Sequence, residues 1–298
     1  MAPIGSIAAR ETGRDTIERA RARASLIPDL LVEAKRVANT VHSGWHGRRK
    51  RGIGENFWQF RQYSPGESMS RIDWRRSARD EGNIFVQDKE WQATHTVWLW
   101  VDESPSMLFK SDGAIVAKQS RALVIAFAMA ELLARSGERV GWLGITRPIL
   151  SRNAAEKLAE ALVLAPAQTE FPAKPDLGAH SDLILVGDFL DPVEEIDEQL
   201  RELFKLGARG HVIQVVDPAE EVFPYNGRVE FNDPETGEKF TAGNATSLKA
   251  QYEAEITMRT EALRQNTAKL GWSFIRHHTD RLASEVLRAL HLHLSERR

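Results

Sequence analysis

Thr96-Val97-Trp98-Leu99-Trp100-Val101-Asp102-Glu103-Ser104-Pro105-Ser106 is the stretch on which the fold of this 298-residue chain turns. The run 96–101 has no polar alternation, which suits a central β-strand covered on both faces rather than one with a wet side. It stops at a carboxylate, Asp102, and a Ser- and Pro-containing turn follows. Beyond the turn, residues 113–135 read as a long helix. Leu123, Phe127, Ala130 and Leu133 recur there at 4-3-3 spacing, and Gly137 supplies the stop signal.

The same grammar repeats downstream. Val140-Gly141-Trp142-Leu143-Gly144-Ile145 and Arg147-Pro148-Ile149-Leu150 are consistent with a hairpin, and residues 153–164 with a helix. A looser Pro-containing stretch, 165–180, leads to Asp182-Leu183-Ile184-Leu185-Val186-Gly187-Asp188, a second buried strand ending in a carboxylate. Pro192 opens a helix carrying Val193, Ile196, Leu200 and Leu203, and Gly207 closes it. Residues 211–216 form a third short strand ending at Asp217. Strands alternating with helices in this way predict an α/β fold with a doubly wound, mostly parallel sheet. Residues 227–231 and 238–240 flank Asn232-Asp233-Pro234-Glu235-Thr236-Gly237, a β-hairpin insertion. Helices over 246–270 and 281–295, with a last strand at 272–275, complete the pattern.

The N-terminal part reads differently. Residues 10–40 are expected to be helical, in two pieces broken near Pro28, with Leu26, Ile27, Leu30, Leu31 and Val37 as the apolar face. From 42 to 79 periodicity fails, and aromatics are interleaved with nine Lys/Arg; this is an ordered wrap rather than a linker, because linkers are poor in aromatics. Residues 85–91 fit an edge strand. The expected division is an N-terminal helical, Arg-rich extension over 1–80 and the α/β domain over 81–298.

Composition narrows the chemistry. The chain is 42% hydrophobic and 28% charged, with eight Trp, as in ordinary globular proteins. No apolar run approaches the roughly 20 residues that span a bilayer, and the first thirty residues lack the apolar core of a signal peptide. The absence of Cys excludes disulfides, thiolate metal sites and a cysteine nucleophile. Together these features lead us to expect a cytoplasmic protein. The net charge of −2 conceals an asymmetry: residues 1–79 hold 16 Lys/Arg against 8 Asp/Glu, a net of +8, leaving −10 for the rest.

In open α/β sheets, ligands bind outside the carboxyl ends of the strands where the strand order reverses. Asp102 and Asp188 stand at such ends, and Asp102 opens the pattern Asp-x-Ser-x-Ser. Mg²⁺ or Mn²⁺ fits these donors: the hydroxyls of Ser104 and Ser106 would bind directly, with Asp102 and Asp188 holding coordinated waters. A cation held mainly by neutral oxygens stays electrophilic and attracts a carboxylate from a partner protein. The pattern alone also describes an Asp and two Ser capping a turn. A Mg²⁺-dependent hydrolase using Asp102 and Asp188 is the enzymatic alternative, although no phosphate-holding Lys can be assigned. Walker A, Gly-x-Ser-x-Gly and His-Glu-x-x-His signatures are absent.

Several segments together resemble the bacterial domain of unknown function (DUF) family 58. These von Willebrand factor A-like proteins are often encoded beside MoxR-type AAA+ ATPases. The resemblance is carried by Gly52-Ile53-Gly54-Glu55 with Phe57, and by Arg61-Gln62-Tyr63-Ser64-Pro65-Gly66-Glu67. It continues in Arg71-Ile72-Asp73-Trp74-Arg75-Arg76-Ser77-Ala78-Arg79 and in Asp102 to Met107. Gly187-Asp188-Phe189-Leu190-Asp191 and Asp233-Pro234-Glu235-Thr236-Gly237 extend it. The resemblance implies a metal-ion-dependent adhesion site, with Thr169 as the third-loop ligand, and a non-enzymatic adaptor working with a MoxR-type ATPase on a client protein. Arg71, Arg75, Arg76 and Arg79 are candidates for partner docking, and on a helix 71, 75 and 79 would share a face. The same segment, 46–79, with Arg48, Arg49, Lys50 and Arg51 beside Trp45, Phe57 and Trp58, also fits nucleic acid, or a structural role against the acidic remainder.

Overall fold

The computed structural model describes residues 13–46, 59–64, 69, 72–80, 83–88, 95–172, 177 and 181–295. Contacts divide the chain into two units, 1–44 with 95–298, and 45–94. Residues up to 44 of the first helix, α1 (Gly13–His46), therefore group with the sheet-bearing unit.

The larger unit is built on five strands: β3 (Thr96–Val101), β4 (Arg139–Trp142), β5 (Asp182–Gly187), β6 (Arg209–Val216) and β9 (Ser273–His278). They are all parallel, in the order β4-β3-β5-β6-β9. The chain leaves β3 for β4 on one side and returns to β5 on the other, so the order reverses between β3 and β5. This is the doubly wound sheet that the alternating pattern predicts. The hairpin expected at 147–150 is reduced to one antiparallel bridge, Ile149 to Val140. Pro148 limits it, because proline cannot donate to a ladder.

Burial on both faces follows from the apolar runs. One face carries Trp98, Trp100, Leu183, Leu185 and Val212. They pack against Ile196, Leu200 and Leu203 of α5 (Val193–Lys205), Leu263 of α7 (Lys249–Lys269), and Trp272. The other face is covered by α3 (Lys118–Arg135), flanked by α4 (Ala154–Leu164) and α8 (Ala283–Ser295). Nearly all of α3 is buried, since the sheet lies beneath it and other helices cover it. Its many alanines permit that close approach. Among the described residues, no helix is long and apolar enough to cross a membrane.

α1 runs through Pro28 without the expected break. Its buried stripe is Ile27, Leu30, Ala34, Ala38 and Val41, at helical spacing on both sides of the proline. Pro28 itself is exposed, where water can take up the carbonyl left without its amide, so packing outweighs the lost hydrogen bond. Ion pairs from Lys35 to Glu156 and from Glu33 to Arg121 tie α1 to α4 and α3.

Two smaller elements follow β6: α6 (Pro218–Val222), and the antiparallel hairpin of β7 (Val229–Asn232) and β8 (Lys239–Ala242). Phe223, Tyr225, Phe231 and Tyr252 form an aromatic cluster that seats the hairpin.

In the second unit β1 (Gln59–Gln62) pairs antiparallel with β2 (Phe85–Asp88). The strand expected at the edge of the main sheet thus belongs to a separate two-stranded ribbon. α2 (Trp74–Ser77) is a single turn, its N-terminus capped by the Asp73 carboxylate, which accepts from the Arg75 and Arg76 amides. The helical face expected over 71–79 does not form across the described residues, because the turn ends at Ala78. Arg75, Arg76 and Arg79 are exposed, with the Arg76 guanidinium 5.4 Å from the Phe85 ring centre. Arg71 and the basic run 48–51 lie outside the described residues.

One glycine reports how tightly the sheet is covered. A Cβ on Gly210 of β6 would stand 1.9 Å from the Trp272 ring. Gly210→Ala is expected to cost about 1–3 kcal/mol or more, since the indole must move out of a filled core. The urea midpoint measures it, and an unchanged midpoint would contradict this packing.

Candidate functional site

The switch point of the sheet places Asp102, at the end of β3, beside Asp188, at the end of β5. The Asp102 amide donates to the Val186 carbonyl at 2.8 Å, which carries the strand pairing to the edge of the site. Gly187 makes room for the carboxylate: a Cβ there would lie 2.9 Å from that of Asp102. Asp102 Oδ1 accepts the Ser104 amide at 2.8 Å and folds the turn back on itself. A single 3₁₀ turn, Pro105–Leu108, then presents Ser106.

The sequence-predicted oxygens converge. Ser104 Oγ and Ser106 Oγ are 3.0 Å apart, and Ser106 Oγ donates to Asp188 Oδ2 at 2.8 Å. Adjacent oxygens around Mg²⁺, each at roughly 2.1 Å, stand about 3 Å from one another. The donors present therefore fit a small hard cation in spacing and in kind. Among the described residues no three His, Asp or Glu side chains form a metal-holding group, so any cation here would depend on the hydroxyls.

Thr169 is exposed and takes no part in these hydrogen bonds. Its loop is tied to the site one residue earlier. The Glu103 amide donates to the Gln168 carbonyl at 2.8 Å, and the Gln168 amide to Glu103 Oε2 at 3.1 Å. Glu103 is buried, and Arg23 of α1 donates to its Oε1 at 2.7 Å and also to the Ala165 carbonyl. Burial raises the Glu103 pKa, partly offset by the Arg23 charge.

The structure adds a cation of its own. Lys118, at the first turn of α3, is fully buried. Its Nζ lies 2.8 Å from Asp188 Oδ2 and 2.5 Å from Glu220 Oε1. Burial opposes its charge, but the two carboxylates outweigh burial and its pKa is raised. Glu220 is fixed in turn by the capping box of α6, its Oε2 accepting the Asp217 amide at 2.9 Å. Asp217 accepts the Ser111 amide at 2.8 Å, which binds the loop after the 3₁₀ turn to the end of β6.

The electrostatics are lopsided. Asp102 is pushed up to about 7, first by burial and then by the neighbouring Asp188 charge. Asp191 is raised by burial, by Asp188 and by Glu235. Phe189, directly after Asp188, holds a left-handed φ of 54°, a backbone state that non-glycine residues adopt at a cost. Gln214 donates to the Asp188 carbonyl at 3.2 Å, and Arg259 to the Leu190 and Asp191 carbonyls at 2.6 and 2.5 Å, holding that strained turn in place.

Residues 59–262 match the family described as "Protein of unknown function DUF58". Over 237 residues the chain is 27% identical to uncharacterized proteins of Mycobacterium bovis and Mycobacterium tuberculosis, covering 72% of this chain and 71% of each relative. Two solved structures align at a TM-score of 0.39, covering 68% of this chain and 99% of theirs. They are the conserved hypothetical protein BatB of Bacteroides thetaiotaomicron, 11% identical, and an aerotolerance-related membrane protein of Bacteroides fragilis, 16% identical.

Proposed function

We propose, since this chain belongs to the DUF58 family of proteins of unknown function, that it is a non-enzymatic adaptor which grips a partner protein's carboxylate through a divalent cation. One observation carries the reading. At the ends of two buried strands, the hydroxyls of Ser104 and Ser106 stand 3.0 Å apart, the spacing of adjacent ligands in a coordination octahedron, with Asp188 Oδ2 2.8 Å from Ser106 Oγ. In this role Ser104 and Ser106 hold Mg²⁺ or Mn²⁺, and Asp102 and Asp188 orient its waters. When bound, the cation supplies an electrophilic position for an incoming carboxylate. A von Willebrand factor A-like adhesion site works in this way. The resemblance points to a MoxR-type AAA+ ATPase as co-worker, with a client protein to be remodelled or assembled, in the cytoplasm. Exposed Arg75, Arg76 and Arg79 offer such a partner a basic contact.

The placement of Lys118 bears on the hydrolase alternative. A lysine beside the two aspartates is the group that phosphate chemistry would need. Here its ammonium is wholly buried and already spent on Asp188 and Glu220. A lysine held so cannot reach a substrate phosphate without abandoning the buried Asp188 and the partly buried Glu220, which favours binding over bond-breaking.

Titration calorimetry with Mn²⁺ tests the proposal. The wild type is expected to bind one ion, and Ser104→Ala/Ser106→Ala to lose at least about tenfold in affinity, the scale seen when ligand shells are disturbed. Equal affinity in both proteins would sink the assignment.

A further inference from the structure

The Asp233-Pro234-Glu235-Thr236-Gly237 hairpin, which the cation reading leaves unexplained, reaches the site. The Ser106 amide donates to Glu235 Oε1 at 2.8 Å, across 129 residues of sequence. We propose that Glu235 is a built-in ligand of the cation site: carried on the β7–β8 hairpin, its carboxylate takes the open position that a partner's carboxylate must win. The inference rests on the cation reading above and adds to it the group that guards the site.

Three observations support it. The hairpin tip is constructed rather than loose. Asp233 accepts the Glu235 amide at 2.8 Å and the Thr236 hydroxyl at 2.9 Å, and its carbonyl accepts the Gly237 amide at 2.8 Å. Gly237 takes the left-handed φ of 73° that closes the turn. The loop thus fixes the backbone from which the Glu235 side chain reaches the Ser106 amide.

Second, the arm is seated at its base and exposed along its length. Phe231 of β7 and Ala242 of β8 join the aromatic cluster, whereas residues 232–241 are exposed. An arm of this kind can swing off without opening the core, as a displaceable cap requires.

Third, the Glu235 carboxylate has acidic neighbours that a cation would serve together. Asp102, Asp188 and Asp191 already crowd the pocket, and Glu235 adds to the charge that Asp191 feels. The ammonium of Lys118 is committed to Asp188 and Glu220. A divalent ion held by Ser104, Ser106 and Glu235 would balance this group of acids.

The experiment is Mn²⁺ titration calorimetry on four proteins: wild type, Glu235→Gln, Glu235→Ala and Ser104→Ala/Ser106→Ala, each checked for fold by circular dichroism. Glu235→Gln keeps the acceptor for the Ser106 amide and removes only the charge, so an altered affinity is not a folding effect. Both Glu235 variants are expected to bind Mn²⁺ about tenfold more weakly than wild type. Millimolar acetate should restore affinity to Glu235→Ala, by filling the vacated position, and should leave wild type unchanged. If the double serine variant loses Mn²⁺ while both Glu235 variants match wild type, with or without acetate, the built-in ligand is refuted and the cation site stands. If wild type binds no Mn²⁺, both ideas fall together.

Discussion

Replacing Lys118 by methionine is expected to destabilise the metal-free protein by about 3–5 kcal/mol, the cost of removing one partner from a buried ion pair. The arrangement gives the change its force. Lys118 is fully buried, and its Nζ sits between Asp188 Oδ2 at 2.8 Å and Glu220 Oε1 at 2.5 Å. Methionine matches the aliphatic stem and removes only the charge and its hydrogen bonds. Asp188 and Glu220 are then left facing each other without a counter-charge, and Asp102 adds a third acid nearby. Urea unfolding in EDTA reads the loss. The deficit should shrink at mildly acidic pH, where one of the stranded carboxylates takes up a proton, and Mg²⁺ should recover part of it by replacing the lost positive charge. A loss below about 1 kcal/mol, the scale of an exposed pair, would mean that the lysine is not held as described.

Lys118 also marks the limit of what the chain discloses in one dimension. The strands ending at Asp102 and Asp188 were legible because burial on both faces leaves an unbroken apolar run, and a run ending in a carboxylate is conspicuous. The convergence of Ser104 and Ser106 followed from a local turn. The remaining parts of the site are polar contacts between distant segments, for which periodicity has no signal. A lysine opening a helix reads as a solvated residue, yet its partners are 70 and 102 residues further on. Glu235 reads as part of a turn, and Arg23 as one of many charges on a polar helix. The resemblance implies Thr169 as a hydroxyl ligand, but the loop is anchored through the backbone of Gln168, which no side-chain pattern reveals. The Pro28 break failed for a related reason: propensity is local, whereas the stripe from Ile27 to Val41 belongs to a helix tied to α3 and α4, distant segments it cannot foresee.

Asp102→Asn is expected to do the reverse of Lys118→Met and stabilise the metal-free fold. Burial, with Asp188 beside it, holds the Asp102 carboxyl at about 7, against 3.8 for an ordinary aspartate. Between about pH 4 and pH 7 the unfolded chain has released this proton and the native chain retains it. Stability therefore falls as pH rises through that window, and above pH 7 the whole penalty is in force. At about 1.36 kcal/mol per pKa unit the penalty reaches about 4 kcal/mol at most. Asparagine carries no charge and keeps an oxygen for the Ser104 amide, now 2.8 Å from Asp102 Oδ1. Its advantage over wild type should be near zero at pH 4 and largest above pH 7, measured as urea midpoints in EDTA. Divalent cations should narrow or reverse the gap. Bound metal favours the ionised carboxylate, so Mg²⁺ should raise the wild-type midpoint and leave the variant's nearly unchanged. An asparagine variant less stable than wild type at pH 8 in EDTA would show the Asp102 charge to be compensated without metal. A buried acid that burdens the empty fold and is relieved by a cation is what a binding site, rather than a helix cap, should contain.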